Sequence, residues 1–443
     1  MNSISFRDFL LSQAGLFSAS ASGSGAVGLK TPALETVRAA FIGIGGRARG
    51  HLGHLLKLEG AKVVALADPG PASIEAALKL CEEAGAPKPE VYGNGPQDYK
   101  RMLERSDIDL VFVSTAWEDH ARQSVDVMKS GKHVFIEVPA AVTLDDCWAL
   151  VDTAERTGKH CMMLENCCYG REELFCLNLC RLGVLGELLH GEGAYIHELR
   201  GQMENVSSEH LMGIWRTNHF VKRNGNLYPT HGLGPIAQYM GINRGDRFEY
   251  LTAVASQARG RELYAKKKFP ADHRWNQVAK WNCGDINTTL IKTALGRSVM
   301  VQWDETSPRP YDRLNLIQGT RGTFGGWPNR LVIEDETPDT HHWVEGDALA
   351  PWFEKYDHPL WKKMGQLAEK NGGHGGMDFL MIWRAIWCLR NGEALDQDVY
   401  DAASWSAVGA LSEKSIAKRS QSVDFPDFTR GRWKTTPPLG IVS

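Results

Sequence analysis

The chain lacks the cysteine pattern of a stapled or zinc-bound fold. Its nine cysteines include no C-x-x-C pair. Cys167 and Cys168 are adjacent, and Cys176 and Cys180 stand at helical i, i+4 spacing. An odd, scattered set of this kind reads as buried free thiols, with no structural zinc pattern. No apolar run reaches the roughly 18 residues that cross a bilayer, so no membrane span is expected. Charge of one sign is also missing: 50 Lys and Arg stand against 53 Asp and Glu, a net charge of −3. Without a basic stripe, nucleic acid is not an expected partner. No internal repeat is present. What remains is 443 residues, 43% of them hydrophobic, enough for two domains that each bury a core.

The stretch from Val37 to His51 organises the first of them. An apolar run, Ala39 to Ile42, enters Gly43-x-Gly45, and Gly50 lies in what reads as a helix. This is the strand, glycine turn and helix of a dinucleotide-binding unit, in which the backbone turns sharply and lets a pyrophosphate sit over the helix N-terminus. The spacing departs from G-x-G-x-x-G, because Ala48 takes the third glycine's place. A glycine-rich strand end alone is as often just a tight turn. The context favours the nucleotide: Ala61 to Asp68 reads as a second buried strand, ending in an acid 23 residues after Gly45. An acid there accepts hydrogen bonds from an adenosine ribose, which favours NAD over NADP.

From Val37 onward the pattern alternates buried strand and amphipathic helix, the signature of a parallel α/β sheet. Strands are expected at 37–43, 61–68, 109–115, 133–137 and 160–165. Helices are expected at 46–59, 71–84, 96–105, 118–130 and 143–157. Ligands of such sheets bind beyond the carboxyl ends of the strands. Those positions carry Trp117–Glu–Asp–His120, Glu137–Val138–Pro139 and Glu165–Asn166. Past Asn166 a helix, 170–183, is followed by extended runs at 188–199, 249–255, 286–294, 298–303, 314–318 and 331–333. Their short connections predict a largely antiparallel sheet with one open face. Helices at 376–391 and 398–418 close the chain, and Lys266–Lys267–Lys268 reads as a solvated loop.

Several side chains in this frame carry chemistry. Tyr228 and His231 share a face if Pro229 opens a helix, and histidine suits proton transfer near neutrality. Taken alone, such a histidine is more often a satisfied core residue. Trp117 offers a flat apolar wall, and Glu165 is placed as a buried acid–base group or a structural ion pair. Tyr195, Arg216, Arg309 and Tyr311 suit a polyhydroxylated ligand.

Gly43–Ile–Gly–Gly–Arg–Ala–Arg–Gly–His51, Trp117–Glu–Asp–His120, Glu137–Val–Pro139, Glu165–Asn166 and Tyr228–Pro–Thr–His231 together resemble the Gfo/Idh/MocA oxidoreductase superfamily. Within it the chain is similar to glycoside hydrolase family 109, whose characterised activity is NAD-dependent α-N-acetylgalactosaminidase. The resemblance implies an N-terminal Rossmann domain, 37–166, and a C-terminal α/β domain with a largely antiparallel open sheet, 167–443. It assigns Gly43, Gly45, Gly46, Arg47, Asp68, Trp117, His120, Glu137, Val138 and Asn166 to NAD. To the sugar it assigns Tyr195, Arg216, Tyr228, Pro229, Thr230, His231 and Tyr311. His231, Tyr228, Tyr195 and Glu165 are the expected catalytic groups, and no metal is expected.

The expected reaction oxidises the sugar at C3, eliminates across C1–C2, adds water and re-reduces C3. His231 takes the O3 proton, Tyr228 or Tyr195 serves at C2, and Glu165 assists the aglycone or water. The implied substrate is a glycan with terminal α-linked N-acetylgalactosamine, and a homo-oligomer is the expected assembly. An NAD-dependent sugar dehydrogenase or epimerase is the alternative. The superfamily's dehydrogenases carry Glu-Lys-Pro where this chain has Glu137–Val138–Pro139, which weakens that reading. A catalytically silent binding protein is a third.

Residues 1–36 are unlike the rest. Ser5–Phe–Arg–Asp–Phe–Leu–Leu11 leads into a small-residue tract, Ser18 to Gly28, with the composition of a targeting segment. It resembles a degraded twin-arginine export signal with Phe6 in the first arginine's place, a route that suits a protein folded around its cofactor. A cytoplasmic leader is the other reading.

Overall fold

The computed structural model describes residues 25–206 and 211–438, so the expected export motif lies outside the described residues. Val37–Ile42 forms β1, buried except at Arg38, near the middle of a six-stranded sheet. β2 (Ala61–Ala67), β3 (Glu90–Tyr92), β4 (Leu110–Val113), β5 (His133–Ile136) and β6 (Cys161–Met163) complete it, in the order β3-β2-β1-β4-β5-β6. Every pairing is parallel. Coverage of both faces is why these strands read as continuous apolar runs. Phe41, Phe112 and Phe135 pack across β1, β4 and β5 with centroids 4.6 and 5.4 Å apart, contacts worth about 1 kcal/mol each beyond burial.

The covering helices are α1 (Gly46–Leu55), α2 (Pro71–Glu83), α3 (Tyr99–Leu103), α4 (Trp117–Lys129) and α5 (Leu144–Thr157). Strand order reverses at β1 and β4, and the crevice beyond their carboxyl ends is where such a sheet binds its ligand.

Beyond Asn166, α6 (Arg171–Arg181) leads into β7 (Leu188–Ile196), the inner strand of a nine-stranded sheet. Two helices come next, α7 (Met212–Lys222) and α8 (Thr230–Tyr239). Then come β8 (Phe248–Ala255), α9 (Gly260–Lys268), β9 (Ile286–Thr293), β10 (Ser298–Asp304), β11 (Leu316–Gly319), β12 (Gly322–Gly325), β13 (Arg330–Ile333) and β14 (Val344–Glu345). The order is β14-β13-β12-β11-β7-β10-β9-β8-β15, where β15 is Val423–Asp424, and only β7 and β10 pair in parallel. On β9, Thr289 and Ile291 are buried while Ile286 and Leu290 are exposed. One face is packed and the other open, as the alternation predicts. Lys266–Lys268 is a correction: these lysines are solvated, but they form the last turn of α9 rather than a loop. Positive charge is favourable there, against the carbonyl end of the helix.

α10 (Ala350–Tyr356), α11 (Pro359–Asn371), α12 (Met377–Asn391) and α13 (Val399–Ala417) come after β14. The last two return to the first domain: α12 packs on α1, while α13 packs on both α5 and β8. The stretch before β1 is drawn in as well. Ala26 N donates to the Tyr400 hydroxyl at 3.0 Å and Leu34 N to Leu389 O at 3.1 Å. Residues 25–36, read from the sequence as leader, are therefore tied to the folded body. No helix among the described residues is long and apolar enough to cross a membrane.

Main chain meets main chain where the second domain's helix crosses its sheet. α8 lies on β7 with Gly232 against Gly193, so closely that a Cβ on either would collide with the other element's backbone.

Candidate active site

The carboxyl ends of the parallel strands face β7 and α8 across a cavity of about 1330 Å³. Its nucleotide half begins at Gly43. There φ is +80°, and an added Cβ would stand 2.8 Å from the Ser114 carbonyl oxygen, so only glycine fits. At Gly45 and Gly46 an added Cβ would meet nothing within 4 Å, leaving bare backbone beside open space. α1 starts there with no side-chain cap and no acid in its first turn. Its free N–H groups and positive dipole end are thus available to a phosphate. Asp68 accepts from Ile44 N at 2.6 Å and Gly70 N at 2.7 Å, which knits the glycine turn to the end of β2 on the cavity wall. Room over open backbone, an uncapped helix end and a carboxylate at the far side fit a dinucleotide.

Arg47, in the first turn of α1, holds the inner wall. It donates to Glu137 Oε1 at 2.9 Å and to both Asp378 oxygens at 2.8 and 3.1 Å. His51 Nε2 lies 2.5 Å from Glu137 Oε1, and Val138 N donates to Oε2 at 3.2 Å. Burial pushes the Glu137 carboxyl up, but Arg47 and His51 outweigh it and hold it down to about 2. Asp378 also accepts from Asn166 Nδ2 at 2.6 Å and pairs with His374 Nδ1 at 2.7 Å. Burial opposes its ionisation, yet His374 and Arg47 keep it well below the usual carboxylate range. His374 reaches the wall from Gly372–Gly376, where every residue has positive φ. His120 stands on the wall with Nδ1 2.8 Å from Pro139 O and Nε2 3.0 Å from Thr115 O. Burial pushes its imidazole down, so the neutral ring donates to one carbonyl while its other nitrogen only faces the second. It shapes the wall and has no nitrogen left for a ligand.

The other half is aromatic. Trp117, the first residue of α4, stacks on Tyr228 at 5.4 Å, with the Arg216 guanidinium over both rings at 4.7 and 4.8 Å. Arg216, on α7, is itself paired to the buried Glu305 at 2.5 Å. Tyr195, at the end of β7, touches Tyr228 at 5.1 Å, His231 at 4.9 Å and Tyr311 at 6.0 Å. Tyr228, just before Pro229 and the start of α8, meets His231 edge-on at 5.0 Å.

His231 Nδ1 lies 2.7 Å from Glu165 Oε1, so the other ring nitrogen is the one left for a ligand. Burial pushes the His231 imidazole down, but Cys167 and Glu165 together pull it up to about 10.

Four expected site residues do not reach the cavity. Glu165 is fully buried behind His231, bonded also to Cys167 N at 3.1 Å. Its carboxylate orients the imidazole and cannot touch an aglycone or water in the cavity. Pro229 and Thr230 are buried as well and sit at the start of α8, where the Thr230 hydroxyl helps to hold the Glu165 carboxyl down. Arg309 pairs with Asp312 at 3.0 Å, away from the cavity. The wall also holds residues that sequence reasoning passed over: Cys167, His197, Arg313, Trp327, His374 and Met377. Two of them had a signal. His197 comes two positions after Tyr195 along an extended run, hence on the same face, and His374 sits within Gly372–Gly–His–Gly–Gly376.

Fold and site define an NAD-binding Rossmann oxidoreductase domain joined to a sugar-sized aromatic pocket. Residues 37–165 match the model for the oxidoreductase family with an NAD-binding Rossmann fold, and residues 169–435 match that for the glycosyl hydrolase 109 C-terminal domain. The chain belongs to glycosyl hydrolase family 109. It is 57% identical over 422 residues to a glycosyl hydrolase family 109 protein of Shewanella pealeana, covering 95% of this chain and 92% of that one. It is 56% identical over 421 residues to an alpha-N-acetylgalactosaminidase of Shewanella oneidensis, covering 95% and 91%. A solved levoglucosan dehydrogenase in complex with NADH and levoglucosan shares the fold at 18% identity and TM-score 0.66, over 88% of this chain and all of its own.

Proposed function

We propose that the cavity cleaves terminal α-linked N-acetylgalactosamine from a glycan by transient oxidation of the sugar at C3. The reading rests most on His231. Its Nδ1 is fixed by Glu165, and its ring lies in the cavity wall against Tyr195 and Tyr228. The name of the Shewanella oneidensis relative supports the substrate.

The glycine turn at Gly43–Gly46 and Asp68 would hold NAD, which would supply reversible hydride transfer at C3 with no net redox change. The chain's residues handle protons and position. His231 receives the O3 proton and gives it back on re-reduction. With C3 a ketone, the C2 proton becomes acidic and a tyrosine hydroxyl oxygen removes it. The aglycone leaves from C1 with the bond pair, and water adds there. Arg216, Trp117 and Tyr311 shape the sugar's seat. Glu137 is spent on Arg47 and His51, and Val138 stands where a dehydrogenase of this superfamily has lysine.

p-Nitrophenyl α-N-acetylgalactosaminide tests the reading. The enzyme releases p-nitrophenol without accumulating NADH, and in deuterated water the released sugar carries deuterium at C2. Stoichiometric NADH from free sugar would mean a dehydrogenase instead. We also infer that the leader exports the folded holoenzyme and that the protein self-associates, checked by cell fractionation and sedimentation.

A further inference from the structure

Tyr195 and Tyr228 line the cavity as the two candidate C2 bases, and each is held as a neutral phenol. Burial keeps both hydroxyls above their ordinary range, with Glu305 adding to it at Tyr195. A neutral phenol accepts a proton only if it passes its own to something else. The two residues differ in what stands behind them. Tyr228 carries Arg216 over its ring face, and a guanidinium accepts no proton. The Tyr195 hydroxyl lies 3.3 Å from His197 Nδ1.

His197 lines the cavity, half-buried, with its ring edge-on to Tyr195 at 5.9 Å and to Tyr311 at 5.0 Å. The charged groups that face it are Glu305 and Arg216 beneath, Glu198 beside it in the chain, and His231 across the aromatic cluster. Burial and Arg216 push its imidazole below the ordinary value against the pull of Glu305. It therefore stands neutral near pH 7, with a lone pair on Nδ1 when the ring proton is on Nε2. The 3.3 Å separation is long for such a bond, as is common before substrate closes a site.

We propose that His197 is the proton acceptor behind Tyr195, and that this pair removes the C2 proton, an assignment that rests on the elimination proposed for this cavity. As the C2–H bond breaks, its proton passes to the Tyr195 oxygen and the Tyr195 hydroxyl proton passes to His197 Nδ1. The C2–H electron pair forms the C1–C2 double bond, conjugated with the C3 ketone, while the C1–O bond breaks and the aglycone oxygen carries that pair away. While the intermediate persists, the Tyr195 and His197 protons exchange with solvent through the half-buried His197. Water then bonds to C1 through its oxygen, and its spare proton goes to the aglycone oxygen. The proton on His197 returns to Tyr195 as Tyr195 delivers a solvent-derived proton to C2. One proton is stored and released per turnover.

The test is H197N in the holoenzyme, because asparagine keeps a hydrogen-bond acceptor near Nδ1 but holds no proton. With p-nitrophenyl α-N-acetylgalactosaminide in deuterated water, C2 deuterium incorporation and p-nitrophenol release fall about 100-fold or more. Reduced nicotinamide absorbance then accumulates on the protein, because oxidation at C3 still occurs. The wild-type rise of C2 exchange with pH, through deprotonation of His197, is absent from the variant. Bound NAD and melting temperature stay at wild-type values. Exchange near the wild-type rate overturns the proposal, as does its loss with no accumulated reduced nicotinamide. If the wild-type enzyme itself shows no C2 exchange, the elimination falls and this inference with it.

Discussion

Glu165 and His231 are bonded at 2.7 Å, and only the histidine reaches the cavity. The carboxylate fixes the ring and, with Cys167, raises its basicity to about 10 against the effect of burial. His231 accepts the O3 proton only in its neutral form, so the limb of kcat/KM that depends on it rises toward alkaline pH. E165Q removes the negative charge. The limb then shifts to lower pH, toward the ordinary histidine value of about 6.5, and the plateau drops as the ring loses its orientation. A pH–rate profile of the two enzymes checks this, and an unmoved limb contradicts it.

H231A removes the proton acceptor and none of the groups that line the nucleotide half. The purified variant therefore carries as much NAD as wild type, measured after denaturation, while p-nitrophenol release is abolished. Normal turnover in H231A would end the assignment.

Asp378 joins Arg47, Asn166 and His374 on one buried carboxylate. D378N leaves the Arg47 guanidinium short of charge, and breaking such a pair costs about 3 kcal/mol. Chemical denaturation reads that loss. Because the network holds the inner wall of the nucleotide site, the variant also purifies with less NAD than wild type.

Gly43 and Gly46 separate folding from binding. G43A forces a side chain into positive φ and against the Ser114 carbonyl, at a cost of about 1–3 kcal/mol. Stability and NAD fall together. At Gly46 the Cβ meets only open space, and alanine suits a helix start. G46A melts no lower than wild type when both are stripped of NAD, yet binds it more weakly.

Most of the frame was legible because burial writes itself into composition. β1, β2, β4, β5 and β6 are apolar runs bounded by turns, and the alternating β8, β9 and β10 show their open face. β3 was not legible: Glu90–Tyr92 is three residues long with only Tyr92 buried. α7, α10 and α11 were not expected, although α11 is amphipathic, with Leu360, Trp361, Met364, Gly365 and Ala368 buried on one face. At the site, residues that end strands announced themselves, since topology places ligands there. Asp378 did not, because it arrives from a helix more than 200 residues downstream of Asn166 and joins the wall only once the chain folds back, and His374 offered only the glycine-rich turn before that helix. Glu165 was legible as a strand-end acid, but its direction was not; a sequence does not say that the carboxylate turns inward behind a histidine.

The glycine pair under α8 has a consequence of its own. Gly232 is the next residue after His231, and Gly193 precedes Tyr195 by two positions, so backbone resting on backbone sets the gap between imidazole and phenol. A side chain at either glycine would push the two backbones apart and carry the rings with them. Substitutions elsewhere in the pocket can alter which sugars are admitted without moving the backbones that carry these two rings.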